Sequence, residues 1–239
     1  GRLDPFAVGL VKVTGGAGTV FARPVVGVST QFNCALCHGT GTGTPASGVL
    51  QYHDGFEGTD LLNQQPVFCA SCHADSSIGA PGTPGISNLS HAIHNGMIDP
   101  VQQSGLDNVC LACHPGLRDP FQRDVHKEAG LNCIDCHGDM TAMADPARVP
   151  WVDLPRCSNC HSKPGCQFEQ PGKLYKDSIG HSSVRCTSCH GSPHAIGPAT
   201  TPIDNQQAIA LQGHAGTINT CTVCHTVQPN EAFFHKVTN

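Results

Sequence analysis

The chain is short of what a globular core is usually built from. Its 239 residues include one Trp and two Tyr, and Leu, Ile, Val and Phe together make up only about a fifth. That is close to the composition at which a polypeptide stops burying enough apolar surface to fold. Charged residues are 13% of the chain, about half the usual share. A net charge of -5 and a pI near 6.3 leave no basic excess to suit nucleic acid or an anionic membrane surface. No apolar run approaches the roughly 20 residues that a membrane-spanning helix needs. The chain has neither a Met start nor a basic-then-apolar leader, so Gly1 is expected to be the end left by signal removal. A first residue other than Cys argues against a bacterial lipoprotein anchor. Apolar bulk has to come from something other than side chains.

Cysteine and histidine are what the chain has in excess, fifteen of each. Fourteen of the cysteines fall into seven C-x-x-C-H segments. These are Cys34, Cys37 and His38; Cys69, Cys72 and His73; Cys110, Cys113 and His114; and Cys133, Cys136 and His137. The remaining three are Cys157, Cys160 and His161; Cys186, Cys189 and His190; and Cys221, Cys224 and His225. Chance would give roughly 0.06 such segments at this composition. The spacing has a chemical reason. Two Cys three positions apart reach the two vinyl groups on one side of a haem and form thioethers, and the adjacent His then lies under the macrocycle as the proximal iron ligand. Zinc fits less well: zinc ribbons join two C-x-x-C pairs per metal, seven is odd, and zinc gives no reason for a His after every second Cys. Disulfides within so tight a loop, repeated without framework spacing, fit worse. The expected cofactor complement is seven covalently attached haem c. Cys166 is left over, with a buried free thiol as its plain reading and an intermolecular disulfide as the alternative.

The second axial ligand decides what such an iron does: a closed six-coordinate haem passes electrons, and an open one binds or transforms a small molecule. Eight further histidines are available, His53, His91, His94, His126, His181, His194, His214 and His235, enough to close seven irons with one to spare. His91 and His94 lie at i, i+3 in SHAIHNG, near one face of a helical turn, which suits two neighbouring haems. His126 and His214 each precede the next motif by seven residues, His181 precedes Cys186 by five, and His194 follows His190 by four. Each of these separations suits a loop folding back beside a haem. His53 and His235 have weaker contexts, and one of the two is the candidate spare. Met97, Met140 and Met143 are alternative ligands, but with enough His present the expectation is bis-histidine coordination throughout, and no catalytic residue.

FAVGLVKV and TVFARPVVGV, separated by TGGAG, read as a β-hairpin over residues 6–28 with Pro24 on an edge strand. Residues 1–31 are therefore taken as a small N-terminal β element. Residues 32–239 are taken as a single heptahaem-binding region, rich in Gly, Pro, Ser and Thr. One longer helix is expected at 205–212, with Asp204 as N-cap and Gly213 after its end. First Cys to first Cys, the motifs are 35, 41, 23, 24, 29 and 35 residues apart, so there is no solenoid period. The fold class that results is mostly irregular chain with short helices, wrapped around a stack of haems. A compact chain of this length has a radius of gyration of roughly 18 Å, which places seven irons under about 20 Å from their neighbours. That density makes an electronically continuous molecule.

The seven motifs together with SHAIHNG resemble multihaem c-type cytochromes of metal-respiring prokaryotes. HAIH between two motifs is similar to the corresponding stretch of extracellular decahaem cytochromes, whose two His serve different haems. HKEAGLNCIDCHG and HSSVRCTSCHGSPH are similar to phrases of many bis-histidine multihaem proteins. The resemblance implies closely stacked haems, export, and respiratory electron transfer outside the cell or at its surface. Its implied partners are other redox proteins or further copies of the chain, and extracellular or outer-membrane acceptors; some relatives polymerise into filaments. The chain departs from the decahaem pattern, with seven motifs and no matching pair of haem domains flanked by β-barrels. A soluble periplasmic carrier is the first alternative. A nitrite, hydroxylamine or tetrathionate reductase is the second, and seven motifs that all end in His, with ligands enough to close every iron, argue against it.

Overall fold

The structure, a computed structural model, describes residues 11–15, 18–22, 38, 43–76, 78–97, 108–114, 116 and 120–230. It is mostly coil punctuated by short helices. Of the hairpin expected over 6–28, the described part is the backbone of β1 (Val11–Gly15) and β2 (Gly18–Ala22), paired antiparallel with Val13 opposite Val20. The turn and the outer residues, Pro24 included, lie outside the described residues. The chain divides into two compact units, one of residues 1–119 with 143–150, the other of 120–142 with 151–239.

In the first unit, α1 (Pro45–Glu57) begins where Thr44 accepts the Ser47 N–H and Pro45 supplies a helical φ, and it ends at Gly58 in the left-handed region. The Asp54 carboxylate then accepts the N–H groups of Leu61 and Leu62 at 2.7 and 2.9 Å. This ties the turn Leu61–Gln64 back against the helix. Helix α2 (Ile86–His94) carries the two closely spaced histidines. Its buried Asn88 donates to the carbonyls of Asp145 and Arg148 at 2.6 and 3.0 Å, which holds residues 143–150 in this unit.

In the second unit, residues 123–125 pair with 194–200: Arg123 N–H donates to His194 O, Val125 N–H to Ile196 O, and Thr200 N–H to Arg123 O, at 2.8–3.1 Å. Two short helices follow in this stretch, α3 (Val125–Glu128) and α4 (Cys133–His137), and α5 (Met140–Ala144) begins in it and ends in the segment 143–150 of the first unit. Later come α6 (Cys186–His190) and α7 (Pro202–Gln212). Helix α7 ends at Gly213 as expected but starts three residues early, at Pro202, with Thr201 in the N-cap position. Asp204 is not the cap. Its carboxylate takes both Arg123 Nε and Nη2, at 2.5 and 3.0 Å, because a proline with its fixed φ opens the helix upstream.

The core is thin. Among the described residues the buried apolar side chains are Ala112, Cys186, Ala195, Ala199 and Ala208, while Phe56 and Val227 are each 75% exposed. No large aliphatic or aromatic residue anchors a core here, in keeping with the composition. No described helix is long and apolar enough to cross a membrane.

Candidate haem centres

The motifs adopt one local shape. The N–H groups of His73, His114, His161 and His225 donate to the carbonyls of Cys69, Cys110, Cys157 and Cys221 at 2.8–3.0 Å. In the other two described motifs the whole C-x-x-C-H is a short α-helix, Cys133–His137 and Cys186–His190. One helical turn puts residues i and i+3 on one face and the next residue beside them, the disposition two thioethers and an axial imidazole need. None of the thirteen described cysteines is in a disulfide, Cys166 included. Burial pushes the thiols of Cys136, Cys157, Cys186 and Cys189 up. Cys34 and Cys37 lie outside the described residues.

Six motif histidines each face a histidine from elsewhere in the chain. Ring centroids are 6.2 Å apart for His38 and His94, 6.3 Å for His73 and His53, and 6.2 Å for His114 and His91. In the second unit they are 6.1 Å for His137 and His194, 5.9 Å for His161 and His126, and 5.8 Å for His225 and His181. Two imidazoles on opposite sides of one metal, each bonded at about 2.0 Å, have centroids about 6 Å apart. The Nε2 atoms of His181 and His225 point at one another across 3.5 Å. The residues fit a six-coordinate haem iron. Among the described residues no group of three or more His, Cys, Asp or Glu converges as a metal site, so the arrangement is pairwise and not tetrahedral.

Hydrogen bonding fixes which nitrogen faces the partner. Backbone carbonyls only accept, so the Nδ1 atoms of His91, His94, His73 and His214 donate to Ser87, Ser90, Pro84 and Ala215 O, at 2.7, 2.7, 3.2 and 2.9 Å. His53 Nδ1 donates at 2.9 Å to Thr59 Oγ1, whose own proton goes to Asp54 at 2.6 Å. His126 Nδ1 donates to Asp124 at 3.1 Å. Each of these bonds leaves the Nε2 lone pair for a metal. Thr59 in turn lowers the Asp54 carboxyl, which keeps that relay charged. Burial, and then His137, holds His194 down at about 4, so it is neutral as a ligand must be.

His53, one of the two candidate spares, thus faces a motif histidine. His190 has Thr217 Oγ1 3.4 Å from its Nδ1, and the Ile218 N–H donates to Cys189 O at 3.0 Å. The loop that carries His214 therefore runs beside this motif. His235 lies outside the described residues. Met97 is exposed, and Met140 and Met143 sit on α5. The sequence reading missed the residues that orient the rings, Asp124, Thr59 and Asp54. Asp124 carried a signal, an Asp two positions before a His at the start of a helix.

These motifs define a class. The chain is a c-type cytochrome, carrying covalently bound haem c and exchanging electrons with redox partners. Within that class, residues 139–191, with two of the seven motifs, match the family described as cytochrome c554 and c-prime. No curated protein and no solved structure matches the chain.

Proposed function

We propose that the protein is a heptahaem electron conduit working outside the cell or at its surface, every iron closed by two histidines. The observation that carries the closed, electron-passing part of this reading is the set of six histidine pairs at 5.8–6.3 Å; the location rests on the resemblance alone. Haem c, when bound, supplies a one-electron iron couple. The chain's own part is to hold each imidazole neutral and aimed through its Nδ1 bond, and to fill both axial positions. Under this reading His214 faces His190, since its loop lies beside that motif and its Nδ1 is already engaged.

The pairing also supports close haem spacing. His126 and His194 lie at the two segments joined by the Arg123, Val125 and Thr200 hydrogen bonds, yet they face His161 and His137. Two centres therefore share one rigid scaffold. His91 and His94, three residues apart, face His114 and His38. A chain of centres linked in this way suits conduction, and copies stacked end to end would extend it as a filament. If the histidine pairs fill both axial positions, there would be no site for a substrate, which favours a carrier over a reductase.

Thioether-bound haem survives unfolding. The mass of the denatured holoprotein is expected to exceed that of the polypeptide by seven haems, and a smaller increment would contradict the heptahaem reading. Secreted native material is expected to contain assemblies of the chain. Monomers alone would remove the filament, and retention in the periplasm would favour the soluble carrier.

A further inference from the structure

The acceptors that orient the histidines are not equivalent. His73, His91, His94 and His214 give their Nδ1 protons to neutral backbone carbonyls, whereas His126 gives its proton to the Asp124 carboxylate. Asp124 is 3% exposed. Its Oδ1 accepts the Lys127 N–H at 3.0 Å and faces Gln122 Nε2 at 3.5 Å, and its Oδ2 takes His126. The adjacent cation, Arg123, is committed to Asp204 through two bonds.

A carboxylate hydrogen-bonded to the far nitrogen of an imidazole raises the basicity of the ligating nitrogen and fixes the ring. A negative charge a few ångströms from the metal also stabilises the more positive oxidation state, and the effect is larger out of water. We propose that Asp124 is a positioning residue that sets the potential of the centre between His126 and His161, holding it below the value a neutral acceptor would give. The inference rests on the reading of His126 and His161 as an axial pair. Reduction of this centre takes up one electron, and no proton needs to leave the His126–Asp124 bond. In a chain of closely spaced centres, one centre lowered in this way favours electron flow away from itself toward its neighbours.

The test is a spectroelectrochemical titration of the haem-loaded protein and its Asp124→Asn variant. Asparagine removes the charge and caps a helix as well as aspartate does, but it has one acceptor oxygen where Asp124 uses two, so it keeps either the His126 N–H or the Lys127 N–H and not both. About one-seventh of the total absorbance change is expected to move most to higher potential, with a smaller shift in the same direction at the His137–His194 centre, whose His194 and Cys136 also feel the Asp124 charge. A tenfold loss of ferric preference corresponds to about 59 mV. Asp124→Glu, which restores the charge, is expected to titrate close to the wild type. His126→Ala is the control for the axial pair and is expected to make one haem reactive to carbon monoxide. If it does, and Asp124→Asn titrates as wild type or Asp124→Glu shifts as far as Asn, the inference on Asp124 is overturned alone. If His126→Ala leaves the protein inert to carbon monoxide, the axial pair fails and takes the inference with it.

Discussion

At an imidazole the deciding question is which nitrogen remains free. The structure answers it by spending Nδ1 on a carbonyl, a hydroxyl or a carboxylate, so that Nε2 is the donor left over. His194 shows the electrostatic side. Burial and His137 hold it at about 4, against about 6.5 for a free histidine. Its folded value is depressed and the neutral form is the folded one, so the unfolded chain takes up a proton that the folded chain refuses. This residue therefore costs no stability above pH 6.5, and a growing amount as the pH falls from about 6.5 to 4. Thermal melts followed at the haem bands should show that loss between these limits, and a gain in stability over the same interval would contradict it. Truncation tests the ligand directly. His194→Ala should leave one iron open, so that about one-seventh of the reduced haem changes its spectrum under carbon monoxide.

At the scale of elements, the motif turns and helix α2 do most of the placing, and backbone space limits both. Gly82 adopts φ +149°, and a Cβ there would lie 2.5 Å from Cys72 O and 2.7 Å from Ala74 N. That is backbone on either side of His73. Gly82→Ala should therefore cost on the order of 1–3 kcal/mol and lower haem attachment at Cys69 and Cys72, read as a loss of about one haem per chain by mass. Full attachment with unchanged stability would contradict the close approach. The motif turns were legible in the sequence because C-x-x-C-H is itself a local rule. So was the end of α7 at Gly213, although its start was misplaced by giving Asp204 the role of cap.

The partners of the histidines were not legible. His126, His181 and His194 lie within a few residues of a motif, which suggested loops folding back beside a haem. Which motif each would face was left open, and the structure sets them against the histidines of motifs other than the adjacent one, His161, His225 and His137 respectively. The physical reason is reach. With a haem bound, a short segment leaving a motif would start on that motif's side of the ring and would have to round its edge to reach the other side. The far side of another haem is within reach, and only the tertiary arrangement says which. His91 and His94 were the exception at the level of type: their i, i+3 spacing on a helix already implied two different centres, and they face His114 and His38.

At the scale of the molecule, the absence of bulky side chains from the buried set among the described residues becomes a claim about folding. With alanines and one cysteine as the buried apolar residues among those described, burial by the polypeptide alone is worth little against the conformational entropy of ordering the chain. The same chain made without haem attachment, or with its motif cysteines changed to serine, should lack cooperative unfolding and exchange its amide hydrogens at nearly unprotected rates. A cooperative melt of the haem-free chain would show that the side chains suffice. Each histidine pair also lies within one of the two units, three motifs in the first and four in the second, so each unit carries its own ligands.

The most direct test of the closed, bis-histidine reading is the absorption spectrum of the native protein, taken oxidised, then reduced, then reduced under carbon monoxide. Low-spin haem c bands that carbon monoxide leaves unchanged are the predicted result, with both axial positions of every iron filled by the chain. A clear carbon monoxide shift in the unmodified protein would contradict the account, because at least one iron would then be open to a small molecule.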